Sequence, residues 1–426
     1  MLLSSLAAGT MIACNLMGAP IEVADVLGAA DGNPDCAPGL QAKLDACATA
    51  GGGVVELAQG RYALRGPVTV PAGVTLKGQW NGPHFSTLAA GTVIEVAWGA
   101  GQEDGPPQFM LGESSTLQGL TLFYPEQDAA NIQPYPWTVQ GRGTHLNVFD
   151  CTFVNPYKAI DFASFPHEMH YIRNVYGCPL KVGVSLDQCT DIGRVENVHF
   201  NPNAWTRSGA PNAPTGDLGA RLVEFMQANL TAFEIGRSDW EMMVNTFSWG
   251  SHIGYRFYGS VDKPIPGPTN GDFLGIAADW SVIPLLIEES QAPGLLITNG
   301  QFVGSPACEA VIDVKETHTG VVQLANCSFW GPHQIVVRNT GPGQVSLSQC
   351  NFVQWDAADK GMPAVDMLAG SLTVQGCIFR QDKPAVRLGP ECRGAVIMGC
   401  QSRRALIVDD QTEGQVEQIG NIAYGG

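Results

Sequence analysis

The chain reads as all-β: a single-stranded, right-handed parallel β-helix of roughly 10–12 rungs, three short strands per rung, with a helix capping its start. Three observations predict this. The first is an internal repeat. HLNVFDCTF (145–153), GRVENVHF (193–200), LLITNGQF (295–302), VVQLANCSF (321–329), QVSLSQCNF (344–352), SLTVQGCIF (371–379) and AVIMGC (395–400) share one pattern, which HYIRNVY (170–176) and EMMVNTF (241–247) follow loosely. Copies anchored at 150, 174, 197, 245, 299, 326, 349, 376 and 399 lie mostly 23 to 27 residues apart. That period suits a three-strand turn; a propeller needs periods near ~40, and a leucine-rich repeat needs a Leu/Asn consensus. The second observation is the anchor residue itself: Asp150, Asn174, Asn197, Asn245, Asn299, Asn326, Gln349, Gly376 and Gly399. Most are types that tolerate left-handed backbone, which a sharp corner between strands requires. The third is composition. With Gly 51, Pro 28 and only 15% charged residues in 426, the chain suits many short strands and tight turns rather than long helices or charge-rich disorder.

Residues 1–20 (MLLSSLAAGTMIACNLMGAP) are apolar and rich in small residues, yet no Lys or Arg precedes Lys43. The segment reads either as an export signal lacking its basic start, with Met-Ile-Ala-Cys14 loosely like a lipoprotein processing site, or as a buried N-terminal strand. An export signal would place the protein outside the cytoplasm: secreted, periplasmic or lipid-anchored on the outer surface of a bacterium. No later run approaches the ~18–20 apolar residues of a membrane span. Residues 21–426 are expected to form one β-helix domain with loop insertions at 201–231 and 260–282.

GLQAKLDACATAGG (39–52) puts Leu40, Leu44 and Ala46–Cys47 on one helical face before a Gly run, a plug for the open end of the coil. GGGVVELAQGRYALRGPVTVPAGVTLKGQ (51–79) then supplies the first strands. The acidic loop, the helix, GGGVVELAQGRYAL and PVTVPAGVTLKG together resemble the N-terminal signature of the pectate-lyase-like superfamily, which groups rhamnogalacturonases, pectin-type hydrolases, C5-epimerases and phage tailspikes. The resemblance implies the β-helix fold and leaves the reaction open, because this fold hosts hydrolases, lyases, epimerases and adhesins. The Asn-Thr-Asp, Asp-Asp, Gly-His-Gly and Arg-Ile-Lys motifs of polygalacturonase-type hydrolases do not occur. Nor do the Asp-His strand and Arg-x-Pro-x-x-Arg loop of pectate lyases, so no catalytic residue is carried over.

After each corner come Cys151, Val175, Val198, Cys327, Cys350, Cys377 and Cys400, expected to stack as an inward column of buried thiols. Cys36–Cys47 and Cys178–Cys189 remain alternatives as bridges. No Cys-x-x-Cys or His-x-x-x-His pattern occurs, so no metal site is expected.

A second short strand precedes each copy, and its register sets which side chains face out. In AIDFAS (159–164), VGVSLD (182–187), AFEIG (232–236) and GYRFYG (254–259) the outward residues are Asp161, Ser185 with Asp187, Glu234, and Arg256 with Tyr258. The following turns add His167, Glu168 and His170, then Arg237, Asp239 and Glu241, and later rungs add Glu288 and Asp313. One carboxylate on an exposed strand means nothing; a stack of them at rung spacing raises pKa values and suggests a site. The insertions leave the central rungs beside this strip and would wall a groove, with aromatic side chains such as Trp137, Trp205 and Tyr258 as platforms for sugar rings.

A formal charge of −17 argues against nucleic acid as a partner. An extended polysaccharide or oligosaccharide fits the groove, and glycosidic hydrolysis needs one protonated carboxyl and one carboxylate. Glu234 is the candidate acid, with Asp187 or Asp161 as base and Asp239 as a further candidate. Arg256, Trp205, Trp137, Glu241 and Tyr258 are candidate substrate contacts. At ~4.8 Å per rung, Asp187 and Glu234 lie roughly 8 Å apart on the diagonal, within the ~6.5–9.5 Å of inverting enzymes. Two alternatives stand. One is a polysaccharide lyase using His167, His170, Arg173 and Tyr176, with Ca²⁺ on the carboxylates and no cofactor otherwise. The other is a non-catalytic glycan-binding or tailspike-like module. The assembly is read as monomer or homotrimer.

Overall fold

The computed structural model describes residues 35–82 and 86–425, with the backbone of a two-residue strand at Ile21–Glu22. The export-signal reading of residues 1–20 lies outside them. The chain winds as the repeat predicts. Strand pairs with strand one turn later, always in parallel, from Gly53–Glu56 on Val74–Lys77 to Val386–Met398 on Gln415–Ile419. Three faces result. The first holds Lys158–Phe162, Val182–Leu186, Thr231–Ile235, Ile253–Phe257, Ile283–Ile287 and Ala310–Val314 in register. The second and third meet at the corner, as in Tyr171–Gly177 and Arg194–Phe200, which run through it as bent strands.

All nine anchor residues take positive φ, from 52° to 62°. The corner amides then chain along the axis: Asn174 Nδ2 donates to Asp150 Oδ1 at 2.8 Å, Asn197 to Asn174 at 2.9 Å, and Asn326 to Asn299 at 2.7 Å. Gly119, Gly275 and Gly420 make equivalent corners that the repeat did not reveal. Gly275 belongs to a complete rung, Thr269–Leu274 and Ala277–Ser281, inside the segment read as an insertion at 260–282. Only Ser260 to Gly267 leaves the coil there, as a small loop closed by an antiparallel bridge.

Behind each corner the cysteines face inward and are buried. Each thiol donates back across the bend: Cys350 to the Ser348 and Leu324 carbonyls at 3.5 Å, Cys377 to Leu347 at 3.5 Å and Gln375 at 3.6 Å. Cysteine here fills a small apolar position and also satisfies a carbonyl that the bend turns away from the ladder. Among the described residues no cysteine pair is bridged, the Cys36–Cys47 and Cys178–Cys189 alternatives included. Beside this column Phe302, Phe329, Phe352 and Phe379 stack at centroid spacings of 6.1, 5.2 and 4.5 Å. Each such ring contributes about 1.5–3 kcal/mol of burial.

Helix α1 (Ala37–Thr49) closes the first rung with Ala37, Leu40, Leu44 and Cys47 buried. Ala46 is exposed, because the i, i+4, i+7 stripe through Leu40, Leu44 and Cys47 leaves it off the buried face. The 201–231 insertion forms α2 (Asn203–Thr206) and α3 (Asp217–Asn229). Trp205, Leu222 and Met226 pack there with Val154, Cys178 and Leu180 in a second, smaller core. Among the described residues no helix is long and apolar enough to cross a membrane.

Candidate functional site

The first face carries one continuous outward column. Its register runs Asp161, Ser185, Glu234, Arg256, Leu286, Asp313, Arg338, Asp366, Arg387. In the later rungs it is an ion-pair ladder. Arg338 grips Asp313 through Nε and Nη2, both at 3.0 Å, and Lys315 adds a third contact at 2.6 Å. Arg387 grips Asp366 in the same way at 2.6 and 2.5 Å. Burial opposes ionisation of Asp313, but Arg338 and Lys315 outweigh it and hold its pKa below the usual range. Alternating sign makes these rungs scaffold.

The central rungs break that alternation. Glu234 accepts from Ser185 Oγ at 2.7 Å on one side and faces Arg256 Nη1 at 4.0 Å on the other. Burial raises the Glu234 pKa, Ser185 and Arg256 oppose the rise, and the Asp161 and Asp187 carboxylates reinforce it. Arg256 itself is committed forward, with Nε to Glu288 Oε1 at 2.8 Å and Nη2 to Oε2 at 3.1 Å, and its guanidinium lies 4.8 Å over the Tyr258 ring. Leu286 takes the column position that would otherwise carry the next charge, and Glu288 reaches back from two residues further on.

Asp187 departs from the expectation that it faces solvent: it is fully buried. Its Oδ1 accepts the Gln188 and Arg237 amides at 2.8 and 2.7 Å, and the Tyr258 hydroxyl donates to Oδ2 over a long 3.4 Å. Gly236 packs so closely that a Cβ there would come within 2.7 Å of the carboxyl carbon. Desolvation raises the Asp187 pKa against those amides. Asp161 is likewise buried, and both its oxygens are occupied. It accepts from the Ala163 and Ser164 amides at 2.7 and 3.0 Å, from Ser164 Oγ at 2.5 Å and from Gln140 Nε2 at 2.6 Å. That is the work of a turn-capping aspartate.

The remaining sequence candidates scatter. His167, His170 and Glu241, expected as groove contacts, are buried inside the turn between the first and second faces. Burial and the neighbouring His170 lower His167 to about 3. Burial also works against charge on His170, but Glu241 at 3.2 Å outweighs it and raises the pKa to about 10. Arg173 lies on the second face, over Phe149 and Tyr171 at 4.9 and 5.8 Å. Tyr176 lies on the third, its ring 5.8 Å from Trp80 and 6.0 Å from His199. Trp205 is fully buried beneath α3, so it offers no platform. Trp137 is half-buried at the start of its strand, under Lys158 Nζ at 5.3 Å.

Asp239 leads to a feature the sequence only hinted at. Arg237 donates its amide to Asp187 and its Nη2 to Asp239 at 2.7 Å, and Gln291 holds the other Asp239 oxygen at 2.7 Å. Asp239 lines a cleft of about 690 Å³ with Trp240, Asn270, Asp272 and Leu296. The Trp240 ring is 54% exposed and anchored by its indole N–H to Asp272 Oδ2 at 2.8 Å. Its backbone sits at φ 66°, in the left-handed region that a bulky residue seldom adopts. An exposed, anchored indole beside carboxyl and amide groups suits the apolar face of a sugar ring. The cleft joins the first-face strip through Arg237.

No family model matches the chain, and no curated protein matches it. Solved structures do. The pre-mature bacteriophage phi29 gene product 12 shares 13% identity over 95% of this chain, with a TM-score of 0.61; the chain spans 56% of that protein's length. The DFA-IIIase of Arthrobacter chlorophenolicus A6 in complex with GF2 shares 10% identity over 93% of each chain, with a TM-score of 0.47. PfbA, a surface adhesin of Streptococcus pneumoniae, shares 15% over 95% of this chain and 93% of its own, with a TM-score of 0.44. At these identities the likeness bears on the fold alone, the parallel β-helix that the strand pairing shows.

Proposed function

We propose that this protein is a carbohydrate-active enzyme, a glycoside hydrolase that binds an extended, uncharged saccharide along the first face and the adjoining Trp240 cleft. Glu234 carries the reading. It is a desolvated carboxyl with a raised pKa, in a column whose later carboxylates, Asp313 and Asp366, are each paired with an arginine. A carboxyl with a raised pKa on a partly exposed face is suited to give a proton to a leaving glycosidic oxygen. In this mechanism Glu234 donates its proton to that oxygen as the C–O bond breaks. A water adds to the anomeric carbon and passes its proton to the Tyr258 hydroxyl as Tyr258 passes its own to Asp187. Tyr258 is thus the partly exposed end of a buried base.

Charge argues against the lyase alternative. A uronate on this strip would face Glu234 and Glu288, while Arg256 already gives two of its nitrogens to Glu288. The histidines that a lyase would use as base are buried away from the strip. A screen of neutral and uronate-containing polysaccharides tests both readings. Reducing ends released from a neutral glycan and lost in Glu234→Gln support hydrolysis; an unsaturated product absorbing in the ultraviolet would establish the lyase. Binding without product, unchanged in Glu234→Gln, would leave a glycan-binding module.

A further inference from the structure

Away from the strip, the turn between the first and second faces buries two histidines and a cysteine around one point. His167, His170 and Cys189 place ligand atoms within 4.8 Å of one another, and all three are buried. The hydrogen bonds on the far sides of the rings fix how the rings face. His167 Nδ1 donates to the Phe165 carbonyl at 3.3 Å, and His170 Nε2 donates to Glu241 Oε1 at 3.2 Å. That leaves His167 Nε2 and His170 Nδ1 turned toward each other at 2.9 Å, the distance of a hydrogen bond in which one proton is shared by the two nitrogens. A cation can take the place of that proton, because both nitrogens already converge on one point with the Cys189 thiol.

The surroundings match a metal-binding turn in a second respect. A ligating imidazole is generally held by a hydrogen bond from its other nitrogen to a carbonyl or carboxylate, and here both are. Glu241 is itself fixed, accepting from Ser238 Oγ at 2.7 Å. The backbone has been cleared for this pair: a Cβ on Gly193 would come within 2.1 Å of His170 Cε1 and 2.3 Å of Glu241 Oε2. His167 pairs with Cys189, and Cys189 with Ser238, as parallel bridges in consecutive rungs.

We infer that His167 Nε2, His170 Nδ1 and Cys189 Sγ form a structural site for a thiophilic divalent cation, zinc by ligand type, that pins successive turns of the coil together. Binding displaces the proton shared by the two imidazoles and the Cys189 thiol proton, and forms two metal–nitrogen bonds and one metal–sulfur bond. Glu241 is a positioning residue that orients His170. The inference does not depend on the hydrolase reading.

The test is expression of the full chain in cobalt-supplemented minimal medium, followed by purification, metal analysis and absorption spectroscopy. One cobalt per chain with a thiolate-to-cobalt charge-transfer band is expected. Cys189→Ser should abolish the band, while Cys392→Ser, remote in sequence and buried in another rung, should retain it. Glu241→Gln should keep the band but weaken metal retention about 10–100-fold in competition with a chelator. The wild-type chain decides the matter even where a variant fails to fold. If it purifies folded with neither cobalt nor zinc at appreciable stoichiometry, the site is a hydrogen-bonded histidine pair and the inference is wrong. Metal present without a thiolate band, or a band that survives in Cys189→Ser, would also overturn it.

Discussion

Ser185 Oγ donates to Glu234 Oε1 at 2.7 Å across neighbouring rungs, and among the described residues this is the one hydrogen bond the Glu234 carboxyl receives. Asp161, one rung before Ser185 in the same column, receives four. Two carboxyls on one face therefore have different roles. Asp161 holds a turn, and Glu234 has its pKa raised by burial. Ser185→Ala should push the Glu234 pKa further up, because an opposing hydrogen bond is lost. In an active preparation, the alkaline limb of the pH–rate profile should move to higher pH; an unmoved limb would separate Glu234 from that ionisation.

The raised pKa values of Glu234 and Asp187 fix a sign for stability against pH. Folding favours their neutral forms, so their contribution is fully present below the ordinary carboxylate range and is lost as pH rises through the raised values. Glu234→Gln removes one such loss. The variant should melt above wild type at neutral pH, and the gap should close on acidification. Asp313 behaves oppositely, since its stabilisation is present above its ordinary pKa and fails as pH falls through its lowered one. Melting curves of Glu234→Gln and Asp313→Asn across the acid range would check the two signs together.

The corner register has its own test. Asn326 sits at φ 54° and donates to Asn299. Replacing it with Leu puts a branched side chain into left-handed backbone and removes the amide, for a cost of about 1–3 kcal/mol. Asn326→Gly keeps the backbone permissive and should cost less. Equal melting temperatures for Leu and wild type would contradict the stacked corner. Likewise Cys350 and Cys377 should resist thiol reagents in the native state and react once unfolded, being 0% exposed.

Much of this architecture was legible because a corner is a local demand. Asn, Asp and Gly at a fixed spacing state where the backbone must turn left-handed, and alternation before each one states which side chains go in. The register followed directly: Asp161, Ser185, Glu234 and Arg256 do share a column. What the sequence hid was what fills space between rungs. Nothing in VGVSLD tells that Tyr258, two rungs on, covers Asp187, or that Gly236 admits it so closely. His-Glu-Met-His and a cysteine nineteen residues past His170 look unrelated until the turn stacks them. The rung at Gly275 was missed because its corner has neither an amide nor a following cysteine, and Trp205 misled because a loop that carries its own core looks, in one dimension, like an open one.

Trp240 tests the cleft apart from the chemistry. Its side chain is exposed, so Trp240→Ala should leave the unfolding free energy within about 0.5 kcal/mol of wild type. Saccharide binding should weaken about tenfold or more, the loss expected of an aromatic anchor worth over 1 kcal/mol. Calorimetric titration of both proteins with the glycan that wild type degrades would measure it. Unchanged affinity would move the binding surface off the cleft.

Three substitutions decide whether the first face does chemistry. Glu234→Gln and Asp187→Asn should each lower turnover by about 10²–10⁴, the usual range for one acid–base partner. Tyr258→Phe should fall with Asp187→Asn, because it removes the hydroxyl through which the buried carboxylate reaches water. Asp313→Asn lies in the same column but within the ion-pair ladder. It should leave turnover unchanged while costing about 1–3 kcal/mol of stability, as Arg338 and Lys315 lose a charged partner. Activity and stability are thus predicted to dissociate in opposite directions along one column of side chains. If Asp313→Asn is as inactive as Glu234→Gln while still folded, the reaction centre lies further along the coil. If all four variants turn over normally, the column is a structural ladder from end to end, and the Trp240 cleft is left as the place where a glycan is held.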